Sequence, residues 1–305
     1  MTRFLVTGAY GCIGAWVVHE LVEAGRPVVT FDLSTEARRV RLLLDDAAVD
    51  AVPHVAGDIS DLAAVERAID EHGITNVIHL AALQIPFCRA DPPLGARVNV
   101  VGTVNVFEAA KKRQLAHVVY ASSIAALGPD GTTLVHPSTI YGVYKRANEA
   151  TAAVYLAEDG VSSIGLRPHT VYGVGRDQGL TSAPTVAMLA AAAGKPYTIP
   201  YGGSAQFQFA RDVARAFVEA SLADYEGASV HNLRGQTVSV EEVIAAIGSD
   251  AIGFDDVRLP FPAEVDSSSF AELLPGFADT PLEEGVRSTI ERFRTLLAEG
   301  KVVHA

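Results

Sequence analysis

The sequence predicts an α/β fold in which helices cover both faces of a doubly wound parallel sheet. Apolar strand-like runs alternate with helical patterns through the first half of the chain, and a glycine-rich turn joins the first run to the first helix. The runs are continuous rather than alternating in polarity, which is typical of strands buried on both faces. Alternation of such strands with helices is typical of a parallel sheet with crossover helices.

Six strands and four helices follow in order along the first half. The predicted strands are Arg3–Thr7, Pro27–Phe31, Ala51–Val55, Asn76–Leu80, His117–Ala121 and Ser163–Arg167. The predicted helices are Ile13–Ala24, Asp61–Glu71, Gly95–Arg113 and Tyr141–Glu158. The second half is less regular, so we expect residues 1–167, completed by parts of 205–235, to form the main domain. Residues 168–305 are expected to form mainly a smaller lobe over the crevice at the strand ends.

Composition excludes several classes of function. The chain has 305 residues, a net charge of −12 and a hydrophobic fraction of 49%, which is ordinary for a globular protein. The negative charge argues against a nucleic-acid partner, and no apolar run is long enough to span a bilayer. There is no signal-peptide pattern, and Cys12 and Cys88 show neither metal nor disulfide spacing. We therefore expect a cytoplasmic protein with no metal and no membrane partner.

The first fifteen residues predict a dinucleotide site. Gly8 permits a tight exit from the first strand, Gly11 lets the backbone approach a pyrophosphate, and Gly14 lets the helix pack closely on the strand. Cys12 belongs to this turn and Ile13 begins the helix, whose free N–H groups attract phosphate. The spacing G-x-x-G-x-x-G is a weak signal alone, and the flanking strand and helix strengthen it.

Asp32 follows the second strand and indicates which dinucleotide is bound. A carboxylate there accepts the hydroxyls of an adenosine ribose and repels a 2′-phosphate, which favours NAD over NADP. The alternative is an acidic residue that caps a loop. Arg38, Arg39 and Arg41 are chemically able to bind a 2′-phosphate, but we expect their helix to hold them too far along the chain.

Two further strand ends supply candidate cofactor contacts. Asp58 can accept a hydrogen bond from the adenine amino group, with Ile59 against the ring, or it can cap the next helix. Leu80, Ala81 and Ala82 follow the fourth strand. Small residues there let the chain pass close to a cofactor, although ordinary packing explains them as well.

Ser123, Tyr141 and Lys145 are the candidate catalytic residues. Ser123 closes the fifth strand, and Tyr141 and Lys145 are four residues apart, so they share one face of a helix. An ammonium near a phenol favours the phenolate, so Lys145 is expected to lower the pKa of Tyr141 and make it a usable general acid and base. The Y-x-x-x-K spacing is common by chance and gains weight from the glycine turn and the serine.

With these motifs the chain resembles the extended short-chain dehydrogenases/reductases, which include NAD-dependent sugar epimerases and dehydratases. The matching segments are Thr7–Gly14, Asp58-Ile59, His79–Ala82, Asn99–Thr103, Ser123, Tyr141, Lys145, Leu166–Pro168, Val171–Gly173, Val230–Leu233 and Thr280–Gly285. The resemblance covers nearly the whole chain. It implies a Rossmann domain, NAD as cofactor, and a homodimer formed through the helices Gly95–Arg113 and Tyr141–Glu158.

The resemblance also implies roles for single residues. Tyr141 would donate or remove the proton at the reacting oxygen, and Ser123 would hydrogen-bond that oxygen. Lys145 would hold the nicotinamide ribose, with Tyr141 and Pro168 also at the cofactor, while NAD exchanges the hydride. Asn99 would support the backbone near the active site; a helix cap is the alternative.

Departures from the family pattern narrow the reaction. Dehydratases carry acidic residues directly after the catalytic hydroxyl, whereas Ile124 and Ala125 follow Ser123 here. Nucleotide-sugar epimerases usually carry an asparagine where Thr170 stands and an arginine near the position of Gln206. An anionic diphosphate needs such donors, so their absence points to a smaller substrate.

These observations favour an NAD-dependent dehydrogenase or reductase that acts on a secondary alcohol or carbonyl of a small polar molecule, such as a sugar, sugar acid or hydroxy acid. Candidate substrate contacts are Gln84, Ser123, His169, Thr170 and Gln206. Two alternatives stay open: a UDP-hexose epimerase with tightly bound NAD, and a non-catalytic protein that senses a dinucleotide.

Overall fold

The computed structural model describes residues 2–259 and 261–303. The strands are β1 (Phe4–Thr7), β2 (Val28–Asp32), β3 (His54–Ala56), β4 (Asn76–His79), β5 (Val118–Ala121), β6 (Ser163–Arg167), β7 (Thr170–Tyr172), β8 (Tyr197–Ile199), β9 (Ser204–Phe209), β10 (Ala228–Asn232), β11 (Gln236–Ser239) and β12 (Ile252–Phe254). The α-helices are α1 (Cys12–Glu23), α2 (Arg38–Arg41), α3 (Asp46–Asp50), α4 (Leu62–His72), α5 (Ile85–Ala90), α6 (Pro92–Ala96), α7 (Gly102–Arg113), α8 (Ile140–Asp159), α9 (Ala183–Ala192), α10 (Ala210–Leu222), α11 (Val240–Ile247), α12 (Ser268–Leu273) and α13 (Leu282–Ala298).

Seven parallel strands form the main sheet, in the order β3-β2-β1-β4-β5-β6-β10. The chain runs outward from β1 to β3 and then returns to the other side of β1 at β4. Ligands of such sheets bind in the crevice beyond the strand ends at this reversal. The predicted α/β fold with a doubly wound parallel sheet is therefore confirmed, and β1 and β4 flank the crevice.

Both faces of the sheet are buried, which explains the continuous apolar strands. On β1, Phe4 and Val6 belong to one hydrophobic cluster and Leu5 to another on the opposite face, and all three are fully buried. Helices α1 and α10 pack together on the first side, and α4 and α7 pack together on the second. Each strand thus contributes apolar area to two layers of helices.

Two predicted elements differ from the structure by more than one residue at an end. The predicted strand Ala51–Val55 begins only at His54, because Asp45 accepts a hydrogen bond from the Ala48 amide and starts the short helix α3 just before it. The predicted helix Gly95–Arg113 is divided by a π-helical turn, Arg97–Val101, between α6 and α7. Such turns occur frequently at functional sites.

The second half returns to the main sheet before it forms the rest of the smaller lobe. Strand β10 pairs with β6 at the sheet edge, and α10 packs against α1. The other strands form a three-stranded sheet, β11-β9-β7, and a pair, β12-β8. The division at residue 167 stays a prediction. Within the described part of the chain, every helix is too short or too polar to cross a bilayer.

A buried ion pair ties α8 to the main sheet. Glu149 on α8 accepts hydrogen bonds from Arg167 Nε at 2.7 Å and Nη2 at 2.6 Å, and both side chains are about nine-tenths buried. Ser122 at the end of β5 donates to the same carboxylate, and Arg167 Nη1 reaches Asn232 on β10 at 3.3 Å. Three strands and the helix that carries Tyr141 thus meet at one charged group.

We expect Glu149→Ala to destabilise the fold by about 3 to 5 kcal/mol, because it leaves the buried Arg167 guanidinium without a counter-charge. The free energy of unfolding in urea measures this effect. Glu158→Ala, at an exposed position of the same helix, is the control and should change stability by less than about 0.5 kcal/mol. A loss below about 1 kcal/mol for Glu149→Ala would contradict the structural role of the pair.

Candidate functional site

A cavity of about 520 Å³ lies at the carboxyl ends of β1, β2 and β4. Its volume is within the range of protein sites that bind small molecules. Its wall includes ten residues that the sequence predicts to bind cofactor or substrate: Gly8, Gly11, Cys12, Asp32, Asp58, Ile59, Leu80, Ala81, Ala82 and Gln84. These residues follow four different strands in the sequence, and the fold brings them together in one cavity wall.

The glycine turn contacts the segment after β4 through backbone alone. Gly8 has a φ of +66°, and a Cβ built on it would lie 2.6 Å from the Ala81 nitrogen. A Cβ on Gly14 would lie 2.2 Å from the Gly8 carbonyl oxygen. Larger residues at either position would displace the turn. Gly11 caps α1 without any side-chain hydrogen bond, so the first amides of the helix are free for a phosphate.

Beneath the turn, an uncharged chain of hydrogen bonds joins β1, β4 and α7. His79 Nδ1 lies 2.7 Å from Thr7 Oγ1, and His79 Nε2 lies 3.1 Å from Thr103 Oγ1, which donates to the Asn99 carbonyl at 2.8 Å. These contacts fit a neutral ring with its proton on Nε2. Burial lowers the pKa of His79 to about 3, so the ring is neutral at physiological pH.

Asn99, within the π-helical turn, holds the segment that borders the cavity. Its side chain accepts from the Leu83 amide at 2.7 Å and donates to the Leu83 carbonyl at 2.9 Å. The Cys88 thiol donates to the same carbonyl at 3.2 Å and is buried. Of the two roles considered for Asn99, the structure shows support of the backbone. Cys88 packs against this same segment.

Asp32 and Asp58 both border the cavity at strand ends. Asp32 accepts from the Tyr10 amide at 2.9 Å and from the Ser34 amide at 3.0 Å, so its carboxylate is fixed at the end of β2. Asp58 accepts from the amide and the hydroxyl of Ser60, each at 2.8 Å. The cap of α4 is instead Asp61. Asp58 is therefore not the helix cap.

Arg38 and Arg39 border the cavity, contrary to the expectation that they lie too far along the chain. Both pair with Asp177, which follows β7, and Arg39 Nη2 lies 2.7 Å from its carboxylate. Arg39 also donates to the Tyr10 carbonyl of the glycine turn at 3.0 Å. Helix α2 begins only six residues after β2 ends, which keeps these arginines near the ribose end. Arg41 instead pairs with acidic residues of α3.

Ser123 and Tyr141 meet because α8 starts against the end of β5. A Cβ on Gly142 would lie 2.0 Å from the Ala125 carbonyl oxygen, so only glycine permits this contact. Ser123 accepts from the Ala125 amide at 3.2 Å and begins a short 3₁₀ turn. Its side chain also lies near enough to the Tyr141 phenol to lower the pKa of that phenol. Gly142, whose role the sequence did not suggest, thus positions Tyr141.

The electrostatics of Tyr141 differ from the sequence expectation. Burial raises the pKa of Tyr141 to about 12, while the hydrogen bond with Ser123 and the charge of Arg176 lower it. The expected lowering of that pKa by Lys145 is wrong for this structure: Lys145 Nζ lies 5.7 Å from the Tyr141 ring centroid and donates to the Ala121 carbonyl at 2.6 Å. Burial lowers the pKa of Lys145 to about 8.

Other predicted residues lie behind the cavity wall. Ile13 and Gly14 sit within α1 below it, and Pro168 is buried, with its carbonyl accepting from the Ile124 amide. The catalytic trio also lies outside the lining of the cavity.

Three predicted substrate residues are buried, and residues 261–265 contact two of them, His169 and Gln206. His169 Nε2 lies 2.8 Å from the Pro262 carbonyl, and its Nδ1 lies 3.1 Å from Thr170 Oγ1. Burial lowers the pKa of His169 to about 4, so it is neutral at physiological pH. Gln206 donates to the Val265 carbonyl at 3.2 Å. All three side chains are more than nine-tenths buried and hold other parts of the protein. Their predicted contact with substrate would require that covering segment to move.

Sequence reasoning missed the turn after β7. Gly175, Arg176, Asp177 and Gln178 border the cavity, and they lie far along the chain from the glycine turn that they face. Their charged residues are the only available signal, and charge in a loop is common. The described residues contain no cluster of His, Cys, Asp and Glu that could hold a metal ion.

Comparison with known proteins adds a family and relatives. Residues 4–233 match the family model described as "NAD dependent epimerase/dehydratase family". A UDP-glucose 4-epimerase of Mycolicibacterium smegmatis is 31% identical over 96% of this chain and 98% of its own length. The Thermus thermophilus UDP-glucose 4-epimerase, solved with NAD, is 26% identical with a TM-score of 0.79, covering 96% of this chain and 99% of that one. The Clostridium difficile L-threonine dehydrogenase shares the fold, with a TM-score of 0.85 and 21% identity over 99% of each chain.

The burial of Lys145 makes stability depend on pH. Its pKa is about 8 in the folded chain and about 10.4 in the unfolded one, so the unfolded chain binds more protons between these values. We therefore compare the free energy of unfolding of the natural protein with that of Lys145→Met at each pH. The natural value minus the variant value should rise by roughly 2 kcal/mol from pH 8 to pH 10. Chemical unfolding at several pH values measures it. For the exposed control Lys195→Met, the difference in unfolding free energy from the natural protein should not change with pH. A difference for Lys145→Met that also does not change with pH would contradict the burial of Lys145 as a charged group.

The carboxylate of Asp32 should decide between NAD and NADP. We expect the natural protein to bind NAD more tightly than NADP. Asp32→Asn should lower the ratio of the NADP dissociation constant to the NAD dissociation constant by roughly tenfold. The amide no longer repels a 2′-phosphate, and Arg38 and Arg39 lie nearby. Isothermal titration calorimetry measures both constants, with Glu71→Gln on the surface of α4 as the control. Tighter binding of NADP by the natural protein would overturn the role of Asp32.

Proposed function

The chain belongs to the NAD dependent epimerase/dehydratase family, and from this premise we propose that it is an NAD-dependent dehydrogenase or reductase. It would transfer a hydride between NAD and a carbon that carries a secondary alcohol or carbonyl, in a small polar substrate such as a sugar, sugar acid or hydroxy acid. One observation carries the proposal: Ser123 acts on the Tyr141 phenol and Lys145 Nζ lies 5.7 Å from the Tyr141 ring centroid, beside a crevice that suits a dinucleotide.

The residues present fit NAD. Cβ atoms at Gly8 or Gly14 would collide with neighbouring backbone and displace the turn, and the amides at the start of α1 have no side-chain cap. Asp32 presents a fixed carboxylate to the adenosine ribose. Bound NAD supplies the acceptor or donor of the hydride. The chain's own residues supply the position of the reacting oxygen and the proton.

Tyr141 is the proton donor in the direction of reduction. With a pKa of about 12 the phenol keeps its proton at physiological pH, ready for an oxygen that becomes negative as hydride arrives at the neighbouring carbon. Ser123 lies near the phenol, and its hydroxyl would hold that same oxygen by a hydrogen bond. In the direction of oxidation the phenolate must form first, which Ser123 and the positive charge of Arg176 favour.

Lys145 lies beside the proton donor and is held in place there. Its ammonium is held by the Ala121 carbonyl at the end of β5, so it cannot turn away from Tyr141 without breaking a 2.6 Å hydrogen bond. With a pKa of about 8 it is mostly charged at neutral pH and loses its charge in mildly alkaline solution. We propose that its charged form holds the ribose of the cofactor beside Tyr141.

A UDP-hexose epimerase is the second candidate, and one observation favours it: the 31% identity with a UDP-glucose 4-epimerase extends over nearly the whole of both chains. Against it, the predicted diphosphate position holds Gln206, which is buried and bonded to the Val265 carbonyl. Both reactions use the same hydride and proton chemistry. They differ in whether reduced cofactor leaves the protein.

We also propose a homodimer in the cytoplasm. Exposed apolar side chains lie on α6, the π-helical turn and α8, including Leu94, Val101, Val143 and Val154. Such a surface suits a second copy of the chain. Cys12 and Cys88 are both free thiols, which agrees with a reducing compartment.

Tyr141→Phe removes the proton that the mechanism needs. We expect it to lower turnover by at least about 100-fold and to leave the NAD dissociation constant within about twofold. Tyr144→Phe is the matched control. Tyr144 lies on the same helix, one residue before Lys145, and its variant should keep its turnover. Turnover is measured by steady-state kinetics and NAD affinity by calorimetry. Full activity of Tyr141→Phe would refute the mechanism.

A substrate screen separates the two candidate reactions. Sugars, sugar acids and hydroxy acids are offered with NAD, and absorbance of NADH is followed. A dehydrogenase forms NADH in proportion to substrate consumed, whereas an epimerase converts a UDP-hexose without net NADH. Conversion of UDP-glucose without release of NADH would replace the first proposal by the second.

A further inference from the structure

Arg176 borders the cofactor cavity, and within the part of the chain that the structure describes it forms no ion pair with an acidic side chain. Its Nη2 donates to Thr181 Oγ1 at 2.9 Å, and its buried Nε has no hydrogen-bond partner among residues 2–259 and 261–303. The two other arginines of the cavity wall, Arg38 and Arg39, are both paired with Asp177. A buried donor without a partner costs free energy, which a ligand oxygen would recover.

The start of α1 borders the same cavity. Helix α1 begins there with Gly11 as its cap, and its first turn contains no acidic residue. A 12-residue helix carries a partial positive charge at this end. Burial raises the pKa of the Cys12 thiol to about 11, and Arg176 is the first of the charges that lower it. Arg176 and the start of α1 therefore act on one small region.

The turn that carries Arg176 is fixed on both sides. The Trp16 indole donates to the Val174 carbonyl at 2.9 Å, and Arg39 holds Asp177 at 2.7 Å. The Arg39 side chain also packs beneath Gly175, since a Cβ there would lie 3.7 Å from Arg39 Cδ. A guanidinium on a fixed turn loses little conformational entropy when it binds a ligand.

We propose that Arg176 binds the pyrophosphate of the dinucleotide, opposite the N-terminus of α1. A guanidinium offers a planar fork of donors that matches phosphate oxygens, and the free Nε supplies one arm of it. A substrate carboxylate is the other anion that would suit the same group. The inference depends on the proposed function only through NAD as the cofactor, and not on which reaction follows.

Binding measured without substrate tests the proposal. Arg176→Gln should weaken NAD and ADP-ribose by the same factor, roughly 10- to 100-fold, because both carry the pyrophosphate. Adenosine, which lacks it, should bind within about twofold of its affinity for the natural protein. Arg176→Lys keeps the positive charge but lacks the planar fork of donors. Its affinities for NAD and ADP-ribose should lie between those of the natural protein and those of Arg176→Gln. Calorimetry measures NAD and ADP-ribose, and ligand-observed NMR measures adenosine.

The control is Arg67→Gln, which removes the same charge from the exposed surface of α4 and should leave all three affinities unchanged. Retained adenosine binding shows that the Arg176 variants are folded. Unchanged affinity of Arg176→Gln for NAD and ADP-ribose overturns the proposal. If affinity is unchanged but KM for an anionic substrate rises, the guanidinium binds that substrate, which also overturns it. Failure to detect any NADH-forming reaction bears on the proposed function and leaves these binding results intact.

Discussion

The site depends on the contact of two backbones at the reversal of the sheet. Gly8 on the turn after β1 and Ala81 on the segment after β4 lie so close that no side chain fits between them. This contact fixes where α1 begins and leaves its first amides facing the crevice. The surrounding hydrogen bonds serve it from both sides: Thr7 and His79 hold the strands, while Asn99 holds the chain beyond Ala81 at Leu83.

The catalytic end depends on the same kind of contact. Gly142 lies against the carbonyl of Ala125, which joins the start of α8 to the end of β5. The buried pair of Glu149 and Arg167 anchors the same helix two turns later. Tyr141 and Lys145 are thus mounted on a helix fixed at two points, while the reacting oxygen would lie where α8 faces the crevice. Cofactor and proton donor are held by rigid backbone rather than by flexible side chains.

Sequence reasoning predicted the parts of this arrangement that are local. Strand, glycine turn and helix follow one another along the chain, and Asp32 and Asp58 follow strands whose ends must meet at one edge of a parallel sheet. It failed where position depends on distant packing. Residues 261–265 cover His169 and Gln206, and no pattern near either residue signals that cover. Arg39 meets Asp177 across 138 residues of sequence, so a charge that looked remote lies on the cavity wall. The pKa of Tyr141 was misjudged for a related reason, since burial depends on the whole fold.

The chain of Thr7, His79 and Thr103 beneath the glycine turn has a consequence for how the protein responds to acidity. Every member is uncharged, and the one ionisable member keeps its neutral ring down to a pH of about 3. These hydrogen bonds beneath the glycine turn therefore stay the same over the physiological pH range. Lys145, with its pKa of about 8, lies beside Tyr141 on α8. Among the buried groups of the site, Lys145 therefore changes its charge in mildly alkaline solution, while the hydrogen-bond chain beneath the glycine turn stays neutral.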